Sequence, residues 1–291
     1  MQLILHAGVH ATDEDRLIKC LLKNTGALSG LGVAVPGPSR YRRMIRDMLH
    51  AMAEGDLLPD ARDVLLDAIL DQDQPERVVL SNDNFFSVPK LAVGRGVFYP
   101  GAEQKLARLA RVFAQDRIEL YLGLRNPASF LPAVFARSPD MEFEAFMGGS
   151  DPRELRWSEL LERVRREAPE IALTVWCNED TPLIWAPLIR EMAGLEPETK
   201  ITGGFDLLSE IMSKDGMQRF RAYLKAHPVM TEIQKRRVIA AFLDKYALEE
   251  AIAEEVDLPG WDGDLIDALT ESYEEDIFRI QRMPGVRLIA P

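Results

Sequence analysis

Four short apolar runs, set apart by stretches long enough to be helices, constrain the fold of this chain most. They fall at about residues 2–6 (QLILH), 78–82 (VVLSN), 118–124 (IELYLGL) and 171–176 (IALTVW). Each is too short for a helix of ordinary length and too continuously apolar for a half-exposed strand, so each reads as a strand buried on both faces. Turn residues bound them: Gly8 after the first, Pro75 and Asn82 around the second, Arg125-Asn126-Pro127 after the third. Strands alternating with helical patterns predict parallel βαβ units. The fold class expected is therefore α/β, a three-layer α/β/α arrangement with a central parallel sheet and a helical C-terminal third.

The segments between the strands carry the helical signal. Leu17, Ile18, Leu21 and Leu22 recur at helical spacing after the first strand, with Thr12 as the expected N-cap and Asp15 as its capping-box-like partner. A strand that feeds a loop into a helix start is the generic geometry of an anion site, because free backbone N–H groups face the loop. Further helices are predicted over 39–54, 57–70, 103–114, 154–167 and 185–192, and residues 94–101 read as loop. Arg40, Arg42, Arg43 and Arg46 crowd the start of the 39–54 helix and read first as a solvated charged face, and second, as the densest local positive charge in an acidic chain, as a candidate site for an anionic acceptor. The last third is expected to be helical over 206–225, 231–253 and 262–282, with turns at Gly203-Gly204, His227-Pro228 and Leu258-Pro259-Gly260. No internal repeat separates it from the rest. One domain over 1–291 is expected, with a core to about residue 200 and the extension packed on it.

Charge narrows the partners. The 291-residue chain has 35 basic and 47 acidic residues, a net charge of −12, which argues against nonspecific nucleic-acid or anionic-membrane binding. Cys20 and Cys177 stand far apart, without metal-ligand spacing, and read as buried free thiols. No basic leader or long apolar run is apparent, so a cytoplasmic location is expected. No G-x-x-x-x-G-K-[ST] occurs, which disfavours an ATP-dependent kinase.

Several motifs resemble the bacterial sulfotransferase family, whose fold is related to that of P-loop nucleoside kinases. His6 and Gly8 match the turn that precedes the family's K-T-G-T-T-like loop, and Thr12 matches its first threonine. Ala11 stands where the lysine is expected, and Asp13, Glu14 and Asp15 stand where the glycine and two threonines are expected. Arg125 matches the family's strand-end arginine, but Ala133 takes the place of the serine eight residues on, and Ser129 lies nearer in sequence. Pro169, Leu173, Val175, Trp176, Glu179, Asp180 and Trp185 fit a third motif, and Tyr273 to Ile277 with Met283 to Val286 fit the family's closing helix and extended tail.

The resemblance implies transfer of a sulfuryl group from 3′-phosphoadenosine 5′-phosphosulfate (PAPS) to a hydroxyl of a carbohydrate or small-molecule acceptor, without a metal. It implies Gly8, Ala11, Thr12, Arg125 and Ser129 as PAPS-binding positions. His10, Asp83 and His6 are the candidates for the cation and the base of the reaction, and Asn84 shares the acidic position with Asp83. Glu179 and Asp180 are expected to cap the helix that follows them. The alternative is a noncatalytic relative that binds another ligand or a partner protein. A homodimer is also left open.

Overall fold

The computed structural model describes residues 1–55, 59–71, 74–252 and 258–291. Its main sheet is built from β1 (Gln2–His6), β2 (Val33–Ala34), β3 (Arg77–Ser81), β6 (Arg117–Leu124), β7 (Ala172–Cys177) and β8 (Val286–Ile289), in the order β2-β3-β1-β6-β7-β8. Every pairing in it is parallel. The four predicted strands are all present, and the first and third are neighbours. Strands β4 (Val93–Gly94) and β5 (Val97–Phe98) form a separate antiparallel hairpin in the stretch expected to be loop.

Side-chain alternation explains why helices cover both faces. In β1, Leu3 and Leu5 point into one apolar cluster and Ile4 into the other. The first cluster takes the buried stripes of α3 (Pro38–Glu54), α4 (Ala61–Ile69), α5 (Ala102–Val112), α6 (Pro127–Phe135), α8 (Trp157–Glu167) and α14 (Gly263–Ile280). A small helix, α7 (Phe143–Met147), joins this face through Phe146 and Met147. The second cluster takes α1 (Arg16–Leu22), α2 (Thr25–Ser29) and α9 (Thr181–Ala193). The result is the three-layer α/β/α fold with a central parallel sheet.

Several boundaries move for local reasons. The helix expected over 57–70 is described from Ala61, and Leu57 lies outside the described residues. Pro152 starts a single 3-10 turn to Glu154, and the helix expected from 154 begins only at Trp157. The helix predicted from 185 starts at Thr181, because Pro182 occupies its first turn, where a missing N–H costs nothing.

The last third breaks more often than its periodicity suggests. Helices α10 (Asp206–Ile211) and α11 (Lys214–Ala226) are separated at Met212, and α12 (Glu232–Tyr246) and α13 (Glu249–Ile252) at Ala247. Met212 and Ala247 face each other in an antiparallel bridge that accounts for both breaks. Ala253, the expected end of that segment, lies outside the described residues. Leu208, Met217, Phe220 and Ile239 form a small core of their own beneath these helices. The expected extended tail is strand β8, paired along β7 at the sheet edge. No helix among the described residues is long and apolar enough to cross a membrane.

Helix α14 is tied to helix α8 by a buried carboxylate. Asp276 Oδ2 accepts hydrogen bonds from Trp157 N at 2.7 Å and Ser158 N at 3.1 Å, at the start of α8. This satisfies two N–H groups that the helix itself cannot. Asp276→Ala should cost about 2–3 kcal/mol, given two charge-assisted bonds at a buried helix start. Urea unfolding of the two proteins measures it, and a loss below ~0.5 kcal/mol would show that water replaces the carboxylate.

Candidate functional site

The chain leaves β1 for one face of the sheet, through α1, and leaves β6 for the other, through α6. Adjacent parallel strands whose connections diverge open a crevice at their carboxyl ends, where open α/β sheets hold ligands. The loop from Ala7 to Asp15 fills the near side of this crevice. Ladder bonds carry it past the end of β1: Ala7 N donates to Tyr121 O at 3.1 Å, Val9 N to Gly123 O at 3.1 Å, and Gly123 N to Gly8 O at 2.7 Å. Gly8 is required here. Its φ is +92°, and a Cβ would sit 3.2 Å from His10 N and 3.4 Å from Asp83 Cα.

After Gly8 the loop turns on itself. Ala11, Glu14 and Asp15 have φ of 57°, 50° and 61°, a left-handed region that non-glycine residues enter at some cost. Each acidic side chain of the loop has a partner in the protein. Asp13 Oδ2 accepts from Leu17 N at 3.0 Å. Glu14 pairs with Arg137, which also lies 3.8 Å from Asp83. Asp15 takes both ends of the Arg42 guanidinium, at 3.1 and 2.5 Å. That bidentate pair with Arg42 holds the Asp15 carboxyl below the usual carboxylate range.

Arg125 stands at the end of β6, buried, beside this loop. Its Nη1 donates to the Ala11 carbonyl and its Nε to Ser129 Oγ at 3.0 Å. Its own carbonyl accepts from Trp157 Nε1 at 2.9 Å. The residues on either side are held too. Leu124 O accepts from Tyr273 Oη at 3.2 Å, and Asn126 N donates to Glu179 Oε1 at 2.8 Å. Glu179 Oε2 accepts from the same tyrosine at 3.1 Å.

The two histidines differ in their surroundings. His6 is buried, shares a 2.8 Å bond between Nδ1 and Ser81 Oγ, and stacks on Trp176 at 5.9 Å between ring centroids. Gly123 makes room for that indole, since a Cβ there would lie 3.0 Å from its ring. The His6 Nε2 atom has no hydrogen-bond partner within the protein and lies 4.0 Å from Asp13 Oδ1.

His10 is fully buried against Tyr99, whose hydroxyl is 2.8 Å from Nδ1 and accepts from His10 N at 3.1 Å. Burial pushes the Tyr99 hydroxyl far up, so it keeps its proton and donates it to Nδ1. The imidazole proton is then on Nε2, directed at Asn84 Oδ1, 3.4 Å away. Burial also lowers the His10 pKa, against the opposing pull of the Asp83 carboxylate.

The structure thus brings His6, Gly8, His10, Ala11, Thr12, Asp83, Arg125 and Ser129 to the carboxyl end of the sheet. Three expectations change. The N-cap position of α1 belongs to Asp15 and the capping bond to Asp13, while Thr12 Oγ1 donates back to Val9 O at 2.7 Å. The first N–H groups of the helix are taken within the loop, Arg16 N by Asp13 O at 2.7 Å and Leu17 N by Asp13 Oδ2 at 3.0 Å. Arg42 is not part of a solvated face: it reaches in to Asp15 and to Ser81 O, whereas Arg43 and Arg46 pair outside with Asp47. Glu179 does not cap α9; it holds the turn after β6, and Asp180 makes no capping bond through its side chain.

Arg137 and Tyr99 are the neighbours that sequence reading missed. Asn84 shares the acidic position with Asp83 in that reading, and Arg42 left a signal in its arginine cluster. Arg137 and Tyr99 come from distant segments without a motif. Neither thiol stands ready as a nucleophile, since burial pushes Cys20 and Cys177 up to about 11. Among the described residues no group of three or more His, Cys, Asp or Glu side chains could hold a metal ion.

No protein-family model matches the chain, and no curated protein matches it. Among solved structures, retinol dehydratase in complex with androsterone and the inactive cofactor PAP is similar to it, with a TM-score of 0.32 and 12% identity over 98% of this chain and 83% of that one.

The His10 environment has a consequence for pH. A base whose pKa is lowered by folding stabilises the fold fully above its unfolded value, about 6.5. That stability is lost as pH falls below it, because the unfolded chain takes up the proton first. The stability curve of the natural protein should therefore decline from about pH 6.5 downward, and His10→Gln should flatten that part of it. Denaturant unfolding at several pH values checks this; parallel curves would mean that His10 protonates as readily folded as unfolded.

Proposed function

We propose that the chain is a sulfotransferase-type protein, built on the plan that transfers a sulfuryl group from PAPS to a hydroxyl of a carbohydrate or small molecule, in which that transfer is slow or lost. The support is the meeting of the motif positions at one crevice: the loop after β1 and the arginine after β6 are adjacent, as a donor bridging them requires.

The residues present do not fit the donor as they stand. A phosphosulfate needs N–H donors and positive charge. The loop offers Asp13, Glu14 and Asp15, and these carboxylates take the Leu17 N–H and the guanidinium groups of Arg137 and Arg42. Arg125 is the strongest phosphate-binding group at the far end, and it is turned onto the Ala11 carbonyl. His10 Nδ1 is engaged by Tyr99, and His6 is buried, so neither histidine is presented to an acceptor hydroxyl.

The same bond from Arg125 to the loop backbone favours a second reading, a noncatalytic protein of this fold that binds another ligand or a partner protein. Thermal-shift titration with adenosine 3′,5′-bisphosphate separates the two. A ligand at ~100 times its dissociation constant stabilises by about 2.7 kcal/mol. The natural protein should show little shift. Glu14→Gln with Asp15→Asn, which removes the pairs of Arg137 and Arg42 with the loop carboxylates without enlarging any side chain, should show a saturable one. Strong stabilisation of the natural protein would overturn the closed-loop reading, and none in the double variant would leave the noncatalytic reading.

A further inference from the structure

A second cavity lies away from the crevice, on the outer side of α9. Ile184, Leu188 and Ile189 of that helix face the sheet. Leu183, Ala186, Pro187 and Arg190 line a pocket of about 160 Å³ on the other side. Leu208, Phe220, Leu224 and Ile239 of the helical third form the other wall. The pocket shares Ala186, Arg190, Gly204, Phe205 and Met230 with an open groove of about 700 Å³. Val229, 93% exposed, stands on the groove's rim.

Two guanidinium groups in this wall are incompletely satisfied. Arg190 Nη1 and Arg236 Nε are buried and have no hydrogen-bond partner within the protein. Arg190 donates through Nε to Thr199 O at 3.0 Å, and Arg236 through Nη1 to Ala290 O at 3.4 Å. The nearest carboxylate, Glu232, is 3.7 Å from Arg190 Nη1, beyond hydrogen-bond range, and its Oε1 already accepts from Lys235 at 2.8 Å. A charged donor buried without a partner is costly and calls for an explanation. The pocket itself carries Arg190, Lys235 and Arg236 against Glu232 alone, an excess of positive charge in a chain of net −12.

We infer that this pocket and groove bind a small amphipathic carboxylate, its apolar body between Leu183, Leu208, Phe220 and Ile239 and its head on the guanidinium groups of Arg190 and Arg236 that line the pocket. A planar carboxylate suits guanidinium donors better than a point anion, because it offers two coplanar acceptors. With Leu183, Leu208, Phe220 and Ile239 on the apolar side and Arg190, Lys235 and Arg236 on the basic side, the pocket orients such a molecule with its head toward the arginines. Its size selects a short chain or a single ring, since ordinary ligand pockets run to about 300–1,000 Å³ and only the groove approaches that. The site is independent of the loop after β1, so its fate does not depend on whether PAPS is bound.

The test uses the full chain with octanoate, and octan-1-ol as its uncharged counterpart, followed by calorimetric titration. Octanoate should bind saturably and at least tenfold more tightly than the alcohol. Arg236→Gln should remove that preference while leaving the alcohol's affinity unchanged, and Ala186→Phe, which fills the neck of the pocket, should abolish both. Lys235→Gln, at a half-exposed position on the same rim, should lower the preference and serves if Arg236→Gln does not fold. Equal affinity for acid and alcohol, or octanoate binding unaltered in Ala186→Phe, would overturn the inference.

Discussion

A guanidinium buried at the end of a central strand must have its N–H groups satisfied, and in this protein Arg125 satisfies one of them on the backbone of the neighbouring loop. That bond sets much of what surrounds it. To bring the Ala11 carbonyl to Arg125 the loop turns through left-handed residues, and it can do so only because Gly8 starts the turn at φ +92°. The strand end is fixed from behind as well, through Trp157 on the Arg125 carbonyl and Tyr273 on the Leu124 carbonyl. Residues separated by about half the chain thus converge on three consecutive backbone positions. The donors and acceptors left over at the end of a parallel sheet are consumed by the protein itself.

The electrostatics of the loop follow from the same economy. A sequence with lysine, glycine and threonine after the first strand leaves its N–H groups and charge for an incoming anion. Here the incoming anions are covalently part of the loop. Asp13 takes the helix N–H, Asp15 a half-buried arginine and Glu14 a second one. A phosphate entering among them would meet like charges at roughly 4–6 Å, the range in which such charges oppose ionisation strongly. It would also have to part the Arg42 and Arg137 pairs, whose cations are the natural counter-charges for it. The crevice is therefore not short of arginine; its arginines are committed.

Much of this was legible in the sequence, and the parts that were not share a cause. Strands β1, β3, β6 and β7 announce themselves because they are covered on both faces and so carry unbroken apolar runs. β8 does not, because Val286–Ile289 is an edge strand with intermediate burial, and its only pattern is Val, Leu and Ile around Arg287. The hairpin at Val93–Phe98 has two residues per strand, below the length at which a period can be read. Thr12 and Asp15 have the right spacing for a capping box, yet the left-handed turn at Glu14 and Asp15 moves the capping bond to Asp13. Spacing along a chain cannot reveal such a turn. Arg42 differs from Arg43 only in which side of α3 it occupies, and the side that matters is set by Asp15, 27 residues away.

The chain thus separates two properties that a binding fold usually joins. The order of the strands and the divergence of the chain after β1 and β6 create a crevice whatever side chains line it, since these follow from burying a parallel sheet on both faces. Whether the crevice receives a ligand depends on a handful of residues that contribute little to that burial: Glu14 is exposed, and Asp15 and Arg42 are half-exposed. Their replacement would leave the core clusters on either side of the sheet untouched. A scaffold of this kind can lose or regain anion binding without refolding, because its stability is held by the strands and helices and its specificity by the loop.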